Sequence, residues 1–183
     1  MIVAVLIGLE IVTIPLAGGS FAALSRLHLR GTSLILGGLV IQTIAISVDP
    51  TMPHGLAIVI HLWSYALAVA FWALNRHVRW MGPIAVGGAL NLLAVATNGG
   101  VMPASAWATS VAGVVQERGE FANSAVVDHP RLAFLGDVLA IPKAWPLANV
   151  FSIGDVLLVV GCVLALHTAA GSSWTRPRAI RSR

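Results

Sequence analysis

Apolar residues occupy most of this chain in long runs, separated by short polar or glycine- and proline-containing stretches. A helical crossing of a bilayer takes roughly 17 to 25 mostly apolar residues. Runs of that kind cover residues 2–24, 32–48, 55–75, 81–97 and 152–170. They are too continuous for the alternating pattern of a barrel strand, and a helix satisfies every backbone N–H and C=O within its own segment. The pattern therefore predicts an all-α integral membrane bundle of five transmembrane helices in a single domain, 1–183, with Pro15 bending the first span. The exceptional polar interruption is residues 98–151, between the fourth and fifth spans.

That interruption has a pattern of its own. Asn98-Gly99-Gly100 directly follows the fourth run, where Asn or Gly in the left-handed conformation is the usual way to end a helix. Within 105–118, Trp107, Val111, Val114 and Val115 fall at i, i+4, i+7 and i+8, which predicts an amphipathic helix lying in the membrane interface and ending at Gly119. Asp128-His129-Pro130 reads as a turn. Residues 132–141 are apolar but too short to span, and Pro142 and Pro146 punctuate the stretch after them. So many apolar residues cannot stay solvated, and a folded lid is expected. Ser152 and Asp155, three apart at the start of the last run, form a capping-box pattern in which the acid also favours the helix dipole.

Composition agrees with the membrane class: 57% of the 183 residues are hydrophobic, 10% are charged, and mean hydropathy is +0.88. A net charge of +4 and a pI near 10.6 could point to nucleic acid, but the basic residues sit in short clusters between apolar runs. No nucleic-acid partner is expected. In a five-span threading Arg26, Arg30, Arg76 and Arg79 fall on one side together with Arg176, Arg178, Arg181 and Arg183 of the basic tail 171–183. Arg118, Arg131 and Lys143 lie in the long loop beside Glu117, Glu120, Asp128 and Asp137. The positive-inside rule then places the N-terminus outside, the C-terminus in the cytoplasm and the lid outside. The first run lacks a basic n-region and is longer than a signal h-region, so it is expected to be retained. The single cysteine, Cys162, excludes an intrachain disulfide and a zinc pattern.

Polar groups inside hydrocarbon are costly, so each is a candidate for function. Glu10, Gln42, His61, Asn91 and Asp155 are the ones to weigh. At about 1.5 Å per residue, Glu10 lies about 12 Å, His61 about 9 Å and Asp155 about 5 Å from the outer ends of their spans, with Gln42 and Asn91 near the midplane. All five could share the region beneath the lid. Asp155 reads first as a cap, and Gln42 and Asn91 as interhelical glue. His61, Ser64 and Tyr65 share a helix face, which suits a satisfied structural histidine. Glu10 must hold its proton or find a partner, and a contact with His61 or Asn91 is expected. Small residues such as Gly18 with Ala22, Gly37-Gly38, Gly87-Gly88 and Gly161 with Ala165 are expected where helices approach closely.

Ser64-Tyr65, Asn75-Arg76, Asn91, N-G-G-x-M-P at 98–103, F-L-G-D at 134–137 and S-I-G-D at 152–155 occur here in that order. With them the chain resembles a bacterial family of small multi-pass membrane proteins classed as a domain of unknown function. The resemblance implies the shared bundle and lid and a bacterial inner (plasma) membrane location, and it carries no activity. Glu10 and His61 stand outside its pattern. The candidate ligand or partner site is accordingly Glu10, His61, Asn91, Asn98, Gly99, Gly100, Met102, Pro103, Asp137 and Asp155.

No nucleophile with a base at fixed spacing, phosphate loop or zinc-protease motif is present, and no inverted repeat suggests a secondary transporter. No catalytic residue, metal or cofactor is assigned. The leading expectation is a non-enzymatic protein of the lipid bilayer whose lid binds a lipid-like molecule or a partner membrane subunit. The competing one is an intramembrane enzyme or small carrier for a hydrophobic substrate, using Asp137, Asp155 and Glu10 as acid, base or ion-binding groups. Carboxylates facing each other across an open cavity would favour the second reading, and carboxylates engaged by backbone N–H groups the first.

Overall fold

A computed structural model describes residues 2–47, 53–114 and 124–175. The chain is mostly helical, with α1 (Ile2–Leu16), α2 (Phe21–Leu24), α3 (Thr32–Ser47), α4 (His54–Asn75), α5 (Met81–Thr97), α6 (Ala106–Ala112) and α7 (Ile153–Ala169). Among the described residues, Gly55–Asn75 is the one helix both long and apolar enough to cross a membrane. Thr32–Ile41, Met81–Thr97 and Ile153–Ala169 are apolar but shorter.

Four of the expected runs match α3, α4, α5 and α7 to within a few residues; the first does not. It was expected to continue over 2–24, yet α1 ends at Leu16. Gly18 takes φ +67°, and the N–H groups of Gly18 and Gly19 donate to Pro15 O (3.0 Å) and Ile14 O (2.9 Å), which closes the helix. The turn is then tied to the end of α7, because Ser20 N–H donates to Ala170 O and Ser173 N–H to Ala17 O, both at 2.9 Å. Pro15 therefore lies in a final turn rather than at a mid-span bend.

Successive long helices alternate in direction. The Arg-rich end gathers Arg30 against Asn75 and Trp80 against Thr168, whereas the other end gathers Gly100 against Ile58 and Asn91 against Ser152. The most extensive helix contact is between α5 and α7, followed by α3 with α4; α1 packs on α7. Glycine explains how close α5 and α7 come. A Cβ on Gly87 would stand 2.5 Å from Gly154 O, and one on Gly161 2.6 Å from Ile84 Cγ1. The small-residue expectation holds there, but Gly37 and Gly88 meet nothing within 4 Å. Large apolar side chains such as Leu16, Leu36, Val59, Trp63, Val86 and Leu93 cover the outside.

In the long loop the all-α expectation fails. Its described part holds two small sheets: β1 (Met102–Pro103) pairs in parallel with β2 (Ser124–Ala125), and β3 (Leu139–Ile141) pairs antiparallel with β4 (Asn149–Phe151). A 3-10 turn covers Ala133–Leu135. Segments of two or three residues between prolines are too short for helical hydrogen bonding, and neighbouring segments satisfy their backbones instead. The expected amphipathic helix is also shorter, because Gly113 takes φ +66° and ends α6 at Ala112. Residues 115–119 of that expectation lie outside the described residues, as does 176–183 of the basic tail. The buried face of α6 is Ala108, Thr109 and Ala112, packed toward Ala140 and Val150, while Trp107 points outward.

Candidate functional site

The lid is seated on the bundle by polar groups that the family-like motifs supply. At the start of α7, Ser152 Oγ accepts from Asp155 N–H (2.9 Å) and Ser152 N–H donates to Asp155 Oδ2 (3.0 Å), a complete capping box. Asn91 of α5 completes it: its Nδ2 donates to Asp155 Oδ1 and its Oδ1 accepts from Ser152 Oγ, both at 2.8 Å. Gly154 is what admits Asn91, since any Cβ there would collide with Asn91 Oδ1 and Gly87 O. Both Asp155 oxygens are thus engaged, one of them by a backbone N–H. That marks Asp155 as structural.

Asn98 is a second fastener. It stands just past α5, where Gly99 and Gly100 take φ +68° and +90° and Gly100 N–H returns to Val95 O at 2.9 Å. The Asn98 amide clasps the backbone of Arg131 in both senses, accepting its N–H and donating to its C=O at 2.8 Å each, and donates also to Ala94 O at 2.7 Å. Gly100 comes so close to Ile58 of α4 that a Cβ would overlap its side chain. The same three-bond clasp recurs at the opposite end. There the fully buried Asn75 accepts from Arg30 N–H and donates to Arg30 O and Phe71 O, all at 2.8 Å.

Beyond the glycines, Met102 is buried in a core with Ala94, Val95 and Leu135, against which Leu62, Leu90 and Tyr65 pack. Pro103 O accepts Asp137 N–H at 2.9 Å, and Gly136 lies so tightly on Pro103 that no side chain fits. The two loop motifs are therefore packed on one another. Asp137 is 6% exposed and accepts from Ser124 Oγ at 2.5 Å. Burial pushes its carboxyl up from 3.8 to about 6; the Ser124 hydrogen bond opposes this and the charge of Asp155 adds to it. Its ionisation is thereby poised.

Beside this junction the lid holds an apolar pocket of about 410 Å³, lined by Pro103, Ala104, Val126, Val127, Phe134 and Val138 among others. Phe134 is 63% exposed at its wall. Among the described residues no three His, Cys, Asp or Glu side chains come together to hold a metal ion.

The structure brings together Asn91, Asn98, Gly99, Gly100, Met102, Pro103, Asp137 and Asp155. It keeps Glu10 apart. Asn91 is taken by Asp155 and Ser152, and Glu10 Oε1 and Oε2 have no hydrogen-bond partner among the described residues, so the expected contact of Glu10 with Asn91 or His61 is not formed. The reason is placement: α1 packs on α7, remote from the lid junction. His61 is fully buried with its ring edge-on to Tyr65, centroids 5.3 Å apart, and Ser64 Oγ donates to His61 O. The side chain of Gln42 lies outside the described residues.

Sequence reading passed over Ser124, which nothing local ties to Asp137, and also over His167. His167 is fully buried near the end of α7, with Nε2 3.0 Å from Thr13 Oγ1 and Nδ1 2.8 Å from Ser172 Oγ. The criterion that picked out His61, an ionisable group in an apolar run, would have found it.

A family model described as "Family of unknown function (DUF5317)" matches residues 26–167. The chain belongs to this family. The matched DUF5317 range contains Asn75, Asn91, Asn98, Asp137 and Asp155, and it leaves out α1 with Glu10. Neither the curated proteins nor the solved structures gave a significant match.

Proposed function

We propose that this protein is a five-span integral protein of the bacterial inner membrane whose extracytoplasmic lid binds a lipid-like molecule in the pocket beside Phe134. The observation that carries the reading is the apolar pocket itself, walled by Pro103 of one loop motif and Phe134 of another. The polar groups around it are spent on holding the lid rather than facing the cavity, as the Asn91–Asp155–Ser152 and Asn98–Arg131 bonds illustrate. Exposed Trp107 and Trp145 suit the headgroup region, where aromatic rings with one polar edge are favoured. Support for five crossings comes from the up-down order of the helices, their apolar outer faces and the Arg residues gathered at one end.

The chemical alternative is weakened at Asp155, whose two oxygens already have partners.

Two measurements test the proposal. Protein purified in mild detergent is expected to carry a copurifying lipid detectable by native mass spectrometry, and Phe134→Glu is expected to lose it while remaining folded. An identical lipid complement in both proteins sinks the lid pocket. For topology, Ala144→Cys in a Cys162→Ala background should react in intact cells with a membrane-impermeant maleimide; labelling only after lysis would reverse the orientation.

A further inference from the structure

Glu10 is the polar side chain that the lid leaves unexplained. It is 8% exposed, and neither carboxyl oxygen has a hydrogen-bond partner among the described residues. With Ile14 and Ala17 it forms the buried stripe of α1, while Leu9, Val12 and Leu16 on the other sides are exposed. α7 packs against that stripe and places Cys162 within electrostatic reach of Glu10, with His167 farther along. Neither α1 nor α7 contains Lys or Arg, so no cation from either helix faces the carboxyl. A bare carboxylate in such surroundings is strongly unfavourable, whereas the neutral acid is tolerated.

One turn from Glu10 begins a line of exchangeable protons. Thr13 Oγ1 donates to the main-chain O of Glu10 at 2.7 Å, which leaves it to accept from His167 Nε2 at 3.0 Å. That bond assigns the Nε2–H tautomer, and Nδ1 then accepts from Ser172 Oγ at 2.8 Å. The imidazole stacks on Trp174, 4.5 Å between centroids, and Trp174 is 62% exposed. The line stays inside the seam: Ser172 at its outer end is fully buried, and at its inner end Thr13 meets the main chain of Glu10 and not its carboxyl.

We infer that Glu10 is a proton-binding site in the α1–α7 seam. Its proton keeps α1 seated on α7. The C-terminal end of α1 is pinned by the Ser20–Ala170 and Ser173–Ala17 backbone bonds, so loss of the proton loosens the seam around Glu10 first. The inference needs the membrane setting but not the lid ligand, and its tests do not read lipid binding.

The full-length protein in mild detergent is treated with dicyclohexylcarbodiimide, a hydrophobic reagent that reacts with protonated carboxyls in apolar surroundings. The acid proton moves to one carbodiimide nitrogen, the carboxyl oxygen bonds the central carbon, and acyl migration to nitrogen leaves a stable N-acylurea with nothing expelled. Peptide mass spectrometry should place the adduct at Glu10, falling about tenfold per pH unit once the group ionises. Glu10→Gln should abolish it. A folded wild-type protein with no adduct at Glu10, or one whose labelling is independent of pH into the alkaline range, overturns the site.

Infrared spectroscopy of the folded protein reads the same proton independently: the wild type should show a protonated-carboxyl band that Glu10→Gln removes, and a spectrum that the substitution leaves unchanged overturns the site.

Discussion

Helix α7 meets a carboxyl at each of its two seams and deals with them in opposite ways. Toward α5, Asp155 gives one oxygen to Asn91 and the other to the Ser152 N–H, and Gly87, Gly154 and Gly161 let the backbones touch. Toward α1, Glu10 is buried yet has no hydrogen-bond partner among the described residues. A carboxylate whose two oxygens are both held by donors serves as a fixed part of the frame. One with no donor is stable only with its proton, and so its state can change. The presence or absence of donors separates the two cases.

The comparison breaks most sharply at its glycines. Gly154→Val forces a side chain into Asn91 and the Gly87 backbone and is expected to cost about 3 kcal/mol or more, read as loss of the folded fraction in a denaturant titration. Asn91→Leu strands Asp155 Oδ1 and the Ser152 hydroxyl. Its expected cost is about 2 to 3 kcal/mol by the same assay, and an unchanged midpoint would remove Asn91 from the frame.

The two asparagine clasps sharpen the point, because they make the same three bonds in different surroundings. Asn75→Ala, fully buried, should cost about 2 kcal/mol, and Asn98→Ala, half-exposed with water able to replace its bonds, about 1 kcal/mol. Equal losses would mean that water does not reach the Asn98 site.

Asp137 is intermediate between the two seams, with one donor and partial protonation. Its folded pKa, about 6, lies above the unfolded 3.8, so its contribution to stability is present below the unfolded value and lost as pH rises through the folded one. Asp137→Asn should therefore gain of order 1 kcal/mol above that range and flatten the pH slope of the thermal midpoint. A slope of unchanged size would assign it to another group. The smallest effect belongs to Glu10→Gln, expected within about 0.5 kcal/mol in a denaturant titration on the acid side of neutrality, since a near-isosteric amide replaces a carboxyl that has no hydrogen-bond partner among the described residues.

Much of this frame was legible along the chain. Run length located α3, α4, α5 and α7, and the Ser152–Asp155 and Asn98-Gly99-Gly100 patterns foretold a capping box and a helix end because both are local chemistry, complete within a few residues. The end of α1 was missed although Gly18 was visible, because the same glycine can sit inside a helix or terminate it. Its positive φ is decided with α7, whose last residues take the backbone groups around that turn. Which face of α6 packs on the rest of the loop was left open for a related reason. Trp107 and the valines make the more apolar stripe, yet the small residues Ala108 and Ala112 allow the closer approach to Val150.

By itself the sequence determined that the chain is a set of apolar helices interrupted by one long loop, where several of those helices end, and which polar residues would be costly to bury. These follow from composition and from spacings within one helical turn. Only the tertiary structure decided which of those polar residues have partners. Asn91 and Asp155 are 64 residues apart, Asn98 and Arg131 33, and Thr13 and His167 154, and no local pattern links such positions. Partnership depends on which helix faces pack together, and that is settled by close approach of whole segments, here at Gly87, Gly154 and Gly161. The same packing left Glu10 without a donor.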